Sequence, residues 1–402
     1  MYLTHLSLTN FRAFARLDLD VPRQPVLLVG DNAQGKTSLL EAVYFMATYS
    51  SFLASSDRQL IHFGAIEDPQ AVARLVATFM RAGSSRRLEI RLIQESNGAN
   101  QPTRFRKELL LDGVKRPWND VIGLFNAVIF LPQMSRILEG GPEDRRRYLN
   151  LTLSQAVPGY AQALSDYNQA LQQRNALLKQ LGERGGDPDQ LLYWDNILAD
   201  RGAALIHDRI TALQELERHA ARVHQRLTAS REVLRLHYQP AYDPLPAVEM
   251  QYALPLSTSI DRSSFSRAQI QQGFLQRLNG LRSDEIMRGV TTCGPHRDEL
   301  RFISNGIDLG EYGSRGQIRT TLLSLKLAEV AWLKERTGQW PVLLLDEVMA
   351  ELDMQRRSDL LAALLEGEQA LMTTTDIKLF TPDFIQNTRL WQVSSGVITP
   401  LG

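Results

Sequence analysis

Gly30-Asp31-Asn32-Ala33-Gln34-Gly35-Lys36-Thr37 fits the spacing G-x-x-x-x-G-K-[ST] without deviation. The two glycines let the backbone curl so that successive amides point inward, where they can hold the phosphates of a nucleotide. Lys36 supplies charge to the outer phosphates, and the Thr37 hydroxyl can ligate Mg²⁺. Far along the chain, Val342-Leu343-Leu344-Leu345-Asp346-Glu347 reads as a buried strand ending in two acids. Asp346 suits a place beside the Mg²⁺. Glu347 suits a group that orients or deprotonates an attacking water. Consecutive acids point to hydrolysis of the nucleotide and not only to its binding, so Lys36, Asp346 and Glu347 are the expected catalytic residues. The bland alternatives are a Gly-rich turn and a solvated strand end. The apolar strand before the loop and the helix after it favour the phosphate reading.

The elements that must position these groups can be read from hydrophobic spacing. Residues 1–30 read as short strands, with Leu3, Leu6 and Leu8 near period two and Val26–Val29 as a buried strand. Residues 36–49 look like an amphipathic helix. Residues 72–116 hold further β-like runs at 88–93 and 109–111, split by the polar loop SNGANQPT. From about 160 to 237 apolar residues recur at helical spacing, with one break at GERGGDPD (182–189). That pattern predicts two long helices forming an antiparallel arm. Ten basic and ten acidic residues alternate along 160–237, as on a solvated helical face. Strand-and-loop texture returns near 290, with 342–346 a second buried strand and 370–373 a candidate third. The expected division is 1–135 and 290–402 as two parts of an α/β head, with 136–289 as a helical lobe.

Composition narrows the class. Of 402 residues 44% are hydrophobic, enough for a large core. Lys plus Arg (45) balances Asp plus Glu (45), so any nucleic-acid surface must be a local patch. The one cysteine, Cys293, excludes an intramolecular disulfide and reads as a small packed residue. The N-terminus lacks signal-peptide character, and no stretch approaches the roughly 20 apolar residues that cross a bilayer. A cytoplasmic protein without a membrane partner is expected. Residues 81–116 carry nine basic against four acidic side chains. Arg86, Arg87, Arg91, Arg104 and Arg106 are the candidates for tracking a DNA backbone, a solvated basic face being the alternative. No aromatic stacking ladder accompanies them, so the expected targets are shape and backbone and not sequence.

Tyr312-Gly313-Ser314-Arg315-Gly316-Gln317 precedes a helical pattern at 319–336. This Ser-x-Gly-Gln turn resembles the signature motif of ABC-type and SMC-type ATPase heads. Physically it is a capped helix start that offers amides to an anion. Other segments resemble the RecF family specifically: Leu8-Thr9-Asn10-Phe11-Arg12, residues 30–44, Gly140-Gly141-Pro142 with Arg145, Arg146 and Arg147, and Gly294-Pro295-His296-Arg297-Asp298. The resemblance covers nearly the full length, and it is the combination that is specific.

The resemblance implies an ABC/SMC-like head with a helical second lobe, or short arm, and ATP and Mg²⁺ as cofactors. Residues 30 to 37 would hold the nucleotide. Ser314, Gly316 and Gln317 would close over the γ-phosphate bound by a second copy, making an ATP-dependent homodimer. It places Arg12 near the phosphates, Gln133 at the loop that senses Mg²⁺ (where the family often has an acid), and Asp353 at the dimer-crossing loop. Thr375 stands where transporter ATPases have a switch histidine, which implies slow turnover. Ser51-Phe52-Leu53 departs from the more basic, polar sequence of the family. The implied activity is weak ATP hydrolysis coupled to binding double-stranded or gapped DNA in recombinational repair and replication-fork maintenance, with RecR-type and RecO-type partners. The residues leave open a transporter-type ATPase subunit or an ATP-binding assembly scaffold with little turnover. They also leave open whether Arg145, Arg146 and Arg147 bridge lobes or contact DNA, and whether His296 and Arg297 only brace a junction.

Overall fold

A computed structural model describes residues 1–68, 70–95, 104–245 and 260–401. The expected SNGANQPT loop at 96–103 lies outside the described residues. The chain divides into two compact units, Met1–Met134 with Glu329–Gly402, and Ser135–Ala328. The second includes residues 290–328, which had been expected to return to the head.

In the first unit, strands β1 (Tyr2–Phe11), β2 (Phe14–Asp20), β4 (Val72–Arg81), β5 (Ser84–Glu95), β6 (Arg104–Leu111) and β7 (Val114–Lys115) form an antiparallel sheet. Its order is β2-β1-β4-β5-β6-β7. The second sheet has the order β15-β14-β3-β13-β12-β8. Here β3 is Val26–Val29, β8 Ala127–Phe130, β12 Val342–Asp346, β13 Ala370–Thr374, β14 Arg389–Ser394 and β15 Val397–Leu401. All but β15 run parallel. Strands β8 and β12 are buried at every position and β3 at all but its last, which is why they read as unbroken apolar runs.

Helix α1 (Lys36–Thr48) follows β3 and shares one core with both sheets. Leu39, Leu40 and Val43 pack in the cluster that holds Leu3, Leu6, Leu8 and Leu88 of one sheet and Val342, Leu344 and Leu371 of the other. It is apolar on nearly all sides because it is covered on nearly all sides.

The second unit is mainly helical: α2 (Pro142–Ala156), α3 (Tyr160–Arg184), α4 (Leu192–Leu227) and α5 (Arg267–Arg288). The division between units falls within α6 (Arg315–Thr337), and α7 (Met354–Glu366) belongs to the first unit. Helices α3 and α4 are antiparallel. Arg174 meets Asp195, a Cβ on Gly202 would approach Tyr167, and Tyr160 meets Arg209, so partners diverge in opposite directions along the chain.

The second helix of this pair stops at Leu227, short of the expected 237. Ala229 (φ 49°) and Ser230 (φ 62°) turn the chain, and β9 (Leu234–Gln239) follows with Leu234, Leu236 and Tyr238 buried at period two. Strand β9 pairs with β10 (Glu299–Ser304), which pairs with β11 (Ile307–Asp308). That sheet draws the 290–328 stretch into the helical unit.

Candidate functional site

Strand β3 delivers the chain at Gly30 into the phosphate loop. Gly30 N donates to Thr374 O at 3.4 Å, and a Cβ there would lie 2.3 Å from Val393 O, so the backbones approach too closely for any side chain. Gly35 has φ 108° and Ala33 φ 63°, the left-handed curl expected of an amide nest. The β14–β15 hairpin braces the loop from outside. Ser395 N donates to Gln34 Oε1 at 2.6 Å, and Gly396 N donates to Gln34 O at 3.0 Å. Asp31, Asn32 and Gln34 are exposed or nearly so on the rim.

Lys36, the first residue of α1, is folded back over the loop and buried. Its Nζ donates to Gly30 O at 2.6 Å and Asp31 O at 3.2 Å, and lies 3.0 Å from Glu347 Oε1 as an ion pair. The Thr37 hydroxyl is 2.9 Å from each carboxylate oxygen of Asp346. Strand β13 inserts between β3 and β12, and its Thr373 ties the acids together. Thr373 Oγ1 donates to Asp346 Oδ1 at 2.7 Å and accepts from Glu347 N at 3.0 Å. Thr375 N donates to Glu347 Oε2 at 3.2 Å, so the backbone of Thr375 is what meets the acid.

Burial raises the Asp346 pKa above the ordinary carboxylate range, and Glu347 adds to the rise. Thr37, Thr373 and Lys36 oppose it. Glu347 itself sits at φ 52°, a strained conformation for a non-glycine residue. A buried carboxylate facing a hydroxyl is an all-oxygen donor pair suited to Mg²⁺. A buried lysine that has only carbonyls and one acid as partners suits phosphate oxygens, so the residues fit a Mg²⁺–nucleotide.

The remaining expected residues fall in different places. The Arg12 guanidinium is bidentate to the fully buried Glu41 of α1, at 2.6 and 2.8 Å, and donates to Gln59 O at 2.9 Å. Ser51 also donates to Glu41 and caps Leu53 N and Ala54 N, so the divergent 51–53 segment is tied to the helix behind the loop. Gln133 is exposed in the turn after β8, whose Phe130 pairs with Leu345. Asp353 caps α7, accepting from Arg356 N at 3.0 Å, and is 52% exposed.

In the helical unit, Ser314 and Gln317 form a reciprocal cap at the start of α6. Gln317 N donates to Ser314 Oγ at 3.2 Å and Ser314 N donates to Gln317 Oε1 at 3.1 Å. Ser314 and Gly316 are exposed there.

The basic strands are largely self-neutralised. Arg86 pairs with Asp112, Arg91 with Glu89, and Arg106 with Glu95 and Glu108. Arg87 stands 3.8 Å from Glu89, whose pKa is held down to about 2, first by Arg74. Arg104 is exposed and makes no ion pair among the described residues. Sequence reasoning missed Thr373 and Glu41. Their signals are a polar end to an apolar strand and a lone acid in an apolar helix.

A phosphate loop on β3, paired acids on β12, the inserted β13 and a capped Ser-x-Gly-Gln helix start define an ABC/SMC-type ATPase head. Residues 2–397 match the family model of the RecF/RecN/SMC N-terminal domain. The chain is 40% identical to a DNA replication and repair protein RecF of Roseiflexus castenholzii, covering 100% of each chain. It is 38% identical to that of Chloroflexus aurantiacus over 99% of each. A solved structure of the recombination mediator protein RecF with ATP superposes with TM-score 0.83 at 30% identity, covering 100% of this chain and 98% of that one. An SMC head bound to the C-terminal winged-helix domain of ScpA gives TM-score 0.50 at 14% identity, a likeness of fold alone. The chain belongs to the RecF family of DNA replication and repair proteins.

Proposed function

We propose that this protein is an ATP-gated DNA clamp of recombinational repair and replication-fork maintenance. ATP binding joins two copies on double-stranded or gapped DNA, and slow hydrolysis releases them. The observation that carries the reading is the meeting of Thr37 with Asp346 and of Lys36 with Glu347 at the ends of parallel strands.

Lys36 and the amides of residues 30 to 37 would bind the triphosphate. Thr37 and Asp346 would hold Mg²⁺, with Gln133 at the edge of the same strand ends. The metal, when bound, neutralises charge on the phosphates. Glu347, anchored through its own amide by Thr373 and through its carboxylate by Thr375 N, is positioned to accept a proton from water. The capped start of α6, with Ser314 and Gly316 exposed and Gln317 beside them, would meet the nucleotide of a second copy, with Asp353 crossing between copies. Arg12 supports the loop through Glu41. Thr375 offers no proton relay, which favours slow turnover.

A RecF-with-ATP structure assigned to the RecFOR pathway supports ATP as ligand and RecR-type and RecO-type proteins as partners. Full-length similarity to RecF proteins favours this reading over a transporter subunit. Similarity to RecF proteins likewise favours a place in the cytoplasm.

The test is duplex-DNA binding with ATP, with ADP and without nucleotide, alongside ATP hydrolysis with and without DNA. ATP-dependent binding and slow hydrolysis lost in Glu347→Gln support the proposal. Binding that ignores nucleotide would overturn the gating. Turnover unaffected by Glu347→Gln would favour the scaffold reading.

A further inference from the structure

The segment Gly294-Pro295-His296-Arg297-Asp298 is locked into the helical unit at four of its five residues. Gly294 has φ 127°, and a Cβ there would lie 2.5 Å from the Tyr167 hydroxyl and 2.8 Å from Phe274. Pro295 is buried, and its carbonyl accepts from Arg209 Nη1 at 2.7 Å. His296 Nε2 lies 3.2 Å from Thr291 O and must donate to it, which leaves Nδ1 to accept from the Tyr167 hydroxyl at 2.7 Å. Asp298 is buried, and its carboxylate accepts from Arg209 (2.6 Å), from Tyr238, and from Ala241 N (2.9 Å).

Arg297 alone points out. It is exposed and makes no ion pair among the described residues, while its own amide closes the turn onto Gly294 O at 2.8 Å. A buried polar network therefore fixes the backbone from which one cationic side chain is displayed.

A second guanidinium is held against the backbone of the same turn. Arg146 Nη1 donates to Asp298 O at 2.9 Å, one residue from Arg297, and has no carboxylate partner among the described residues. Burial and the neighbouring Arg209 lower its pKa, the environment of a cation short of counter-charge. Its neighbour Arg145 is the opposite case, bidentate to Glu299 at 2.7 and 2.8 Å. The acids around Arg146 are Asp298, committed to Arg209, Glu299, committed to Arg145, and the exposed Glu143.

An exposed guanidinium on a rigid turn, with a second from α2 held against the turn's backbone, makes an anion site. The arginines of the basic sheet mostly spend their charge on their own acids. Resting on the DNA reading above, we infer that Arg297, with Arg146 behind it, contacts the phosphate backbone of double-stranded DNA. The ordered turn lowers the entropic cost of that contact.

The experiment uses the full chain with Mg²⁺-ATP and a fluorescent duplex across a salt series. The variants are Arg297→Ala, Arg297→Lys and, on the sheet, Arg87→Ala; ATP affinity and melting temperature are measured for each. One phosphate contact adds about 0.9 to the slope of log affinity against log salt, so at ~0.1 M salt its loss weakens binding about eightfold. Arg297→Ala should show that loss and the shallower slope, with ATP affinity and melting unchanged. Arg297→Lys should recover part of it, and Arg87→Ala should match wild type. If wild type binds duplex and Arg297→Ala binds equally with the same slope, this inference fails and the DNA reading stands. If Arg297→Ala loses ATP affinity, the phosphate it meets is the nucleotide's, and the DNA assignment is overturned. If wild type does not bind duplex at all, both fall.

Discussion

Replacing Asp298 by Asn should destabilise the helical unit sharply. Arg209 is 1% exposed and Asp298 1% exposed, and their 2.6 Å contact is the one ion pair Arg209 makes among the described residues. Its other acceptors are neutral: Pro295 O at 2.7 Å, the Tyr160 hydroxyl at 3.0 Å and Asn150 Oδ1 at 2.9 Å. The amide keeps the shape of the side chain but leaves a buried cation without counter-charge. Breaking one partner from a buried pair costs about 3–5 kcal/mol. For a unit spanning Ser135–Ala328, each kcal/mol moves the melting midpoint by about 2–4 °C. The transition reporting this unit, followed by calorimetry, should therefore drop by roughly 10 °C. Adding Arg209→Met to Asp298→Asn removes the orphaned charge and should restore most of the loss. A drop under about 3 °C, or no recovery in the double variant, would refute the view that this pair organises the unit.

Burial lowers the His296 pKa to about 4 from 6.5, so the unfolded chain binds a proton in that interval and the folded one does not. Stability should be full above about pH 6.5 and fall by about 3 kcal/mol as the pH drops to about 4; His296→Gln should flatten this segment of the melting-versus-pH curve. Gly30→Ala forces a Cβ against Val393 O and should cost about 1–3 kcal/mol while weakening ATP affinity, read by melting and nucleotide titration. Thr37→Val removes the hydroxyl held by Asp346. Loss of a hydrogen bond to a charged group, about 1.5–3 kcal/mol, predicts a roughly 10- to 100-fold fall in Mg²⁺-dependent hydrolysis.

The parallel strands at Val26–Val29 and Val342–Asp346 were legible because strands covered on both faces leave unbroken apolar runs, while β8 and β14 of the same sheet went unread. The loop was legible because its backbone geometry admits so few residue types. Strand β9 was hidden at the end of a long helical pattern, where alternation over six residues is weak beside the periodicity before it. Its partner β10 is distant in sequence, so local spacing could not assign 290–328 to the helical unit. Counting charge in 81–116 found the basic strands, but a composition cannot show that Glu89, Glu108 and Asp112 are aligned to neutralise them. The roles of Thr373 and Glu41 depend on contacts between elements far apart in the chain, which spacing does not encode.

The central claim is that ATP joins two copies through the site built on Lys36, Thr37, Asp346 and Glu347. Sedimentation velocity of wild type, Glu347→Gln and Lys36→Ala, each with and without Mg²⁺-ATP, tests it most directly. The account predicts monomers without nucleotide, a dimer with ATP that Glu347→Gln prolongs, and no ATP-induced dimer for Lys36→Ala. Monomers throughout, with ATP shown to be bound, would contradict it.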